Sequence, residues 1–272
     1  MACVLFASCS GNDDDLKTLD PLTPEYSLPQ GGNQAADERI VKIYNDYGSF
    51  ILYQYTFLDF MRDLPATDYV YEEPDPQYVD EMLDFLDGVW FGFYTEKFHK
   101  KFMPYKIFLC GRLDNVGRPM TYLASTNAIR LNYCSDTLST FTPANKNTIK
   151  NAIQQGLWGR WCENYYDDFP EEFFTVSDYS TAPTSEDEAK TRGFTSDWCV
   201  DYWPGTGTWS YQNPRLEDLR YYMYAFVQRN AETWETDLSQ YPLIKRKYDI
   251  LRNFFQNEYG FDITNVGNAT FE

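Results

Sequence analysis

Asn147–Tyr166, NTIKNAIQQGLWGRWCENYY, spaces its apolar residues as a helix does. Ile149, Ala152, Ile153, Gly156, Leu157 and Trp161 recur at three- and four-residue steps, which lines them along one side of a 3.6-residue helix and buries that side. Gln154 and Trp158, one turn apart, point another way. A metalloprotease helix shows H-E-x-x-H, because histidines at i and i+4 converge on one zinc while the glutamate between them activates its water. Here the run is Gln154, Gln155, Gly156, Leu157, Trp158. Neither register supplies two histidines, whether the ligand positions fall on Gln154 and Trp158 or on Gln155 and Gly159.

Working outward, the spacing predicts an opening helix over Asp37–Tyr47 that buries Ile40, Ile43, Tyr44 and Tyr47, then a strand over Phe50–Thr56 after Gly48. Asp63–Pro76 is acidic and proline-bearing and reads as loop. It lacks the spaced carboxylates of a calcium loop, so solvated charges are the expectation. Val79, Met82, Leu86, Val89 and Phe93 predict one long helix over Gln77–Phe98. Strands are expected at Lys106–Cys110, Arg118–Ala124 and Ala128–Tyr133, with LDNVG (113–117) as turn chemistry. Beyond the central helix, Ser177–Arg192 reads as surface loop. Helices follow at Pro214–Arg229 and Leu243–Tyr259.

In order and flavour these segments resemble the zinc-binding metallopeptidase lipoproteins of Bacteroidetes, which often accompany starch-utilisation-type glycan uptake systems. The likeness covers roughly residues 36 to 265. It rests on the opening helix and strand, the junction KKFMPYKIFLCG (100–111), the two strands before the central helix, RGFTSDW (192–198), NPRLEDL (213–219) and the closing PLIKRKYDILRNFFQNEYGFDI (242–263). The resemblance implies an α+β, zincin-like fold with a small mixed sheet packed on several helices. It further implies that Asn127–Asn132 is the edge strand across the cleft, and that the acidic pair Glu217 and Asp218 supplied or supported a metal. The departure is at the centre, where the histidines are missing. Without the resemblance, acidic residues at a helix start are explained by the helix dipole alone.

With 272 residues and 32.0 kDa the chain can bury a sizeable core, and 36–272 is most economically one domain. The net charge of −18 and pI near 4.4 argue against nucleic acid as a partner. Lys100-Lys101 and Lys245-Arg246-Lys247 are expected to be solvated helix faces. Aromatic residues make up 18% of the chain, and 23 of them are tyrosines, side chains with a flat apolar body and a polar edge suited to sugars, to protein surfaces or to a ring-filled core.

No run of about 18 apolar residues is present to span a membrane as a helix. Residues 1–9, MACVLFASC, look like the tail of a bacterial lipoprotein signal ending at Cys9, which would carry the lipid and anchor the protein to the outer membrane. The acidic SGNDDD behind it resembles the surface-export signals of such lipoproteins. Ser10–Ala35 is expected to be a flexible tether. Four cysteines then remain, Cys110, Cys134, Cys162 and Cys199, without a C-x-x-C pair. Their disulfide pairing is open at this stage.

Phe194–Tyr211, FTSDWCVDYWPGTGTWSY, is dense in rings and is either a binding wall or a lid over the core. His99 is the single histidine and sits in EKFHKKF at the end of a scaffold helix, so a two-histidine zinc face cannot be built. No G-x-S-x-G elbow is present, and a serine or cysteine triad would have to enlist His99. The expectation is a cleft without catalytic residues, metal or cofactor. Gln154, Gln155, Trp158, Glu217 and Asp218 would line it, with Trp203 and Trp209 as walls, and it would bind a glycan, a peptide or an outer-membrane protein partner. The alternative is an active hydrolase, either a metallopeptidase with carboxylate-only ligands or a two-carboxylate glycosidase.

Overall fold

The computed structural model describes residues 25–64, 68–195, 207–210 and 212–272. Helix α1 (Gln34–Tyr47) is capped by the Asn33 side chain and stops at Gly48, whose φ of 72° suits glycine at a helix end. Strand β1 (Phe50–Leu52) follows, then α2 (Phe57–Met61), which starts in a Thr56/Asp59 capping box. The strand expected to reach Thr56 therefore gives way early to a short helix. Strand β2 (Tyr69–Glu72), inside the expected loop, leads to α3 (Val79–Val89).

The long helix predicted over Gln77–Phe98 is broken. Trp90, fully buried, takes φ −143°, a 3-10 turn covers Phe91–Phe93, and α4 (Glu96–Phe102) restarts under a Thr95 cap. Packing decides the break, since Trp90 and Tyr94 are both drawn into the core. Strands β3 (Lys106–Leu109), β4 (Arg112–Asn115), β5 (Arg118–Pro119), β6 (Tyr122–Ala124) and β7 (Ala128–Leu131) follow in succession. The chain then enters the 22-residue α5 (Pro143–Asn164). After α6 (Glu171–Phe174) and α7 (Glu186–Thr191) come α8 (Pro214–Gln228), α9 (Ala231–Gln240), α10 (Pro242–Phe254), a π turn at Phe255–Tyr259 and α11 (Thr264–Asn268).

The strands form two small sheets. One is four-stranded, in the order β1-β3-β7-β6, parallel except for β6, which runs antiparallel to β7. The other is three-stranded and antiparallel, in the order β2-β4-β5. Strand β7 is thus interior, and β6 is the free edge beside the central helix; the edge expected at Asn127–Asn132 lies one strand away. The parallel strands are buried on both faces, as continuous apolar runs predict. Ile51, Ile107, Leu109, Ile129 and Leu131 face the main core with the helices, while Phe50, Leu52 and Phe108 face a second cluster with Phe60, Tyr55 and Leu113.

Residues 25–35, assigned to the tether, are fastened to the domain. Glu25 pairs with Lys106 and Arg62, Tyr26 donates to Asp59, and Gln30 bonds both Ile51 O and the Tyr53 amide. Cys110, Cys134 and Cys162 are buried free thiols, and Cys199 lies outside the described residues. Lys247, expected on a solvated face, is fully buried.

Candidate functional site

A groove of about 570 Å³ opens between the edge strand and the central helix. Its walls are Met120–Ala124 on one side, Ala152, Gln155, Gly156, Gly159, Arg160 and Glu163 of α5 beneath, and Arg220 and Tyr224 of α8 opposite. The register of β6 against β7, together with the bonds Ser125 N to Ala128 O and Asn132 N to Thr121 O, turns the amide and carbonyl of Leu123 toward β7. Those of Tyr122 and Ala124 point to the open side. A second, more enclosed cavity of about 190 Å³ continues past the strand end and shares Ala124, Gly156 and Arg160 with the groove.

The two registers of the central helix are resolved by burial. Gln154 and Trp158 are fully buried, and neither faces the groove, so their expected place in the cleft is corrected. The Tyr94 hydroxyl donates to Gln154 Oε1 at 2.5 Å and accepts from Trp158 Nε1 at 2.9 Å, while Gln154 Nε2 donates to Val89 O at 2.8 Å. Burial pushes the Tyr94 phenol well above its ordinary range, so the hydroxyl keeps its proton and can fill both roles. These three side chains bolt α5 to the junction between α3 and α4. The groove-facing register is Gln155 and Gly159, with Gly156 between them.

Both glycines lie under tyrosines. A Cβ on Gly156 would stand 2.3 Å from the Tyr122 ring, and one on Gly159 would stand 2.8 Å from the Tyr224 hydroxyl. In the H-E-x-x-H register these positions are the water-activating glutamate and the second histidine. The space their side chains would need is taken by two phenols. His99 is no substitute: it is buried in another cavity, its Nε2 lies 3.0 Å from Phe91 O, and burial holds its pKa below the usual imidazole range. Among the described residues no group of three or more His, Cys, Asp and Glu could hold a metal. The residues present at the helix do not fit zinc: an amide oxygen is a weak donor and glycine offers none.

What the groove offers instead is a row of alternating charges. Arg160 pairs with Glu163 at 2.9 Å, Glu163 stands 4.0 Å from Arg220, and Arg220 pairs with Glu217 at 2.6 Å. Glu217 is therefore held at the groove margin through Arg220. Partial burial raises its pKa, against the pull of the guanidinium. Asp218, its sequence neighbour, turns the other way. It is fully buried against Lys247 and Tyr179, so its expected place in the cleft is also corrected. Trp209 does not wall the groove: it meets Phe194 edge to face and donates Nε1 to Tyr179 O, covering a satellite cluster with Tyr221. Trp203 lies outside the described residues.

Tyr122, Arg160, Glu163, Arg220 and Tyr224 were not singled out by the sequence. One signal was available. Two glycines three apart inside a helix each forgo about 1 kcal/mol of helix propensity, which points to something passing close over that face.

The fold has a solved counterpart. The structure described as a "putative zinc-binding metallo-peptidase" from Bacteroides caccae superposes with a TM-score of 0.52 at 13% identity, covering 85% of this chain and 88% of that chain. No protein-family model matches the chain, and no curated protein does. At that identity the likeness concerns the fold: this chain has a mixed α+β architecture similar to that of a structure described as a metallopeptidase.

Proposed function

We propose that this protein is a binding module built on a zincin-like domain, lipid-anchored through Cys9 at the cell surface of an outer membrane, and that its groove takes an extended peptide segment of a partner beside a glycan uptake system. One observation carries the reading: at Gly156 and Gly159, where an H-E-x-x-H register would set its glutamate and second histidine, Tyr122 and Tyr224 take the space that a side chain would need. A groove that keeps its shape after losing the donors of a metal keeps only recognition. A peptide is favoured over a glycan by the outward amides and carbonyls of Tyr122 and Ala124, which pair with an added strand as sheet edges do. Arg160, Arg220 and Glu163 would then select the side chains that alternate toward the helix.

The test has a binding arm and a chemical arm. On a peptide array, the protein is expected to retain a defined set of extended sequences, and Gly159→Trp, which fills the groove floor, to weaken them by at least ~10-fold, or about 1.4 kcal/mol. After incubation with zinc and dialysis, metal is expected well below one ion per chain, with casein left intact. Stoichiometric zinc that survives dialysis, together with chelator-sensitive cleavage of casein, sinks the proposal in favour of a hydrolase.

A further inference from the structure

Away from the groove, Lys247 of α10 and Asp218 of α8 face each other in a sealed, ring-lined chamber. The two side chains are 0% and 1% exposed, with Nζ and Oδ2 at 2.5 Å. The ammonium lies against Phe173, Tyr179, Phe194 and Tyr222, with ring centroids at 4.8, 5.5, 4.8 and 5.4 Å. The Tyr179 hydroxyl donates to the same Oδ2 and stands 3.4 Å from Nζ, so one phenol touches both partners. Asp218 Oδ1 is buried and has no hydrogen-bond partner among the described residues. An ion pair kept for stability ordinarily satisfies its remaining lone pairs; among the described residues this one leaves an oxygen without a donor.

From this arrangement we infer a self-modification site: Lys247 and Asp218 condense into an intramolecular isopeptide bond that staples α10 to α8. Desolvation lowers the pKa of Lys247 and raises that of Asp218, and in each case burial outweighs the partner's opposing pull. Transfer of one proton from the ammonium to the carboxylate gives a neutral amine and a neutral acid, the pair that can react. The Nζ lone pair attacks Asp218 Cγ, forming the C–N bond. Tyr179 then passes a proton to Oδ2 and recovers one from nitrogen, the Cγ–Oδ2 bond breaks, and Oδ2 departs as water. Oδ1 stays as the amide carbonyl. The three protons of the ammonium end as one amide hydrogen and two on water, so neither oxidant nor co-reactant is needed. Fixed proximity and exclusion of water favour the condensation, which in open solution would not proceed.

A tryptic digest of the purified, denatured full chain decides the matter. The bond blocks cleavage after Lys247, so Leu216–Arg220 is expected joined to Lys247–Arg252, at the sum of the two masses less one water. Linear Leu216–Arg220 is then lost. Asp218→Ala is expected to abolish the branched species, and its persistence there would move the bond to another carboxyl and overturn the assignment. Recovery of linear Leu216–Arg220 and Tyr248–Arg252 in full yield from the unsubstituted protein overturns the inference outright, whether or not the variant folds.

Discussion

Gly156 and Gly159 share a helix face but differ in what stands above them, and that difference has opposite consequences for stability. At Gly156 a methyl group would meet three atoms of the Tyr122 ring between 2.3 and 2.7 Å, so the whole ring must move. At Gly159 it would meet the Tyr224 hydroxyl at 2.8 Å, with the next atom at 3.8 Å, and rotation of one side chain relieves it. Gly156→Ala is therefore expected to destabilise by about 1–3 kcal/mol despite the better helix former, as overpacking does. Gly159→Ala is expected to be neutral or stabilising by up to ~1 kcal/mol. Urea unfolding distinguishes them, and adding Tyr122→Ala should recover most of the Gly156→Ala loss through non-additivity. Equal losses at both positions would mean that the Tyr224 hydroxyl cannot move aside as its single close contact implies. The sequence made half of this visible: helical spacing located the central helix, and that helix plainly carries no histidine. Which of two adjacent registers faced the groove was not legible, because Gln154 and Gln155 are chemically alike and only the position of β6 separates them.

At the scale of elements, the polar bolt through Tyr94 explains why α5 and the broken α3–α4 unit keep one relative position. Tyr94→Phe removes a hydroxyl that serves as donor to Gln154 and acceptor from Trp158, and both partners are fully buried. Leaving two buried groups unsatisfied costs about 2–4 kcal/mol, far more than the hydroxyl itself would suggest. The expected result is a lower urea midpoint with an unchanged slope; a loss under ~0.5 kcal/mol would show that the helix is seated by apolar contacts alone. The same junction shows where periodicity stops being informative. Val79, Met82, Leu86 and Val89 keep their spacing through α3, but Phe93 extends the pattern across a chain that has already left the helix at Trp90. Large rings satisfy either geometry, so tertiary demand chose. The single strand expected over Arg118–Ala124 is two, β5 and β6, in different sheets, and the place of β6 was not legible because pairing order depends on contacts distant in sequence.

Across the whole molecule, an acidic exterior surrounds a core that has swallowed three of the chain's cations. Arg130, Lys150 and Lys247 are each no more than 1% exposed, and among the described residues only Lys247 of the three is in a salt bridge. Arg130 ties α2 to the sheet by donating to Phe60 O, Arg62 O and Ser125 Oγ. Lys150 ties the end of α8 to α11 by donating to Val227 O and Val266 O, and burial lowers its pKa from 10.5 to about 8. The sign follows from proton counting: between about pH 8 and 10.5 the unfolded chain holds the Lys150 proton and the folded chain does not, so the contribution of Lys150 to stability rises with pH across that window. Fully expressed, the shift is worth about 3 kcal/mol, and between pH 8 and 9.5 the slope should approach ~1 kcal/mol per pH unit. That contribution is opposed within the window by the buried thiols of Cys110, Cys134 and Cys162, and at higher pH by tyrosines such as Tyr55, Tyr94 and Tyr179; burial holds their protons beyond the ordinary range, so in each case the unfolded state ionises first. Urea unfolding of the protein and of Lys150→Met, at half-unit steps from pH 7.5 to 10, isolates the Lys150 contribution as the difference between the two profiles. Lys150→Met, with nothing to titrate at that position, should be less stable at pH 9.5 for want of donors to two buried carbonyls, and should fall further behind the unsubstituted protein as the pH rises from 8 to 10. A gap between the two that stays constant with pH would assign the pH dependence to other groups and leave Lys150 as a protonated cap throughout.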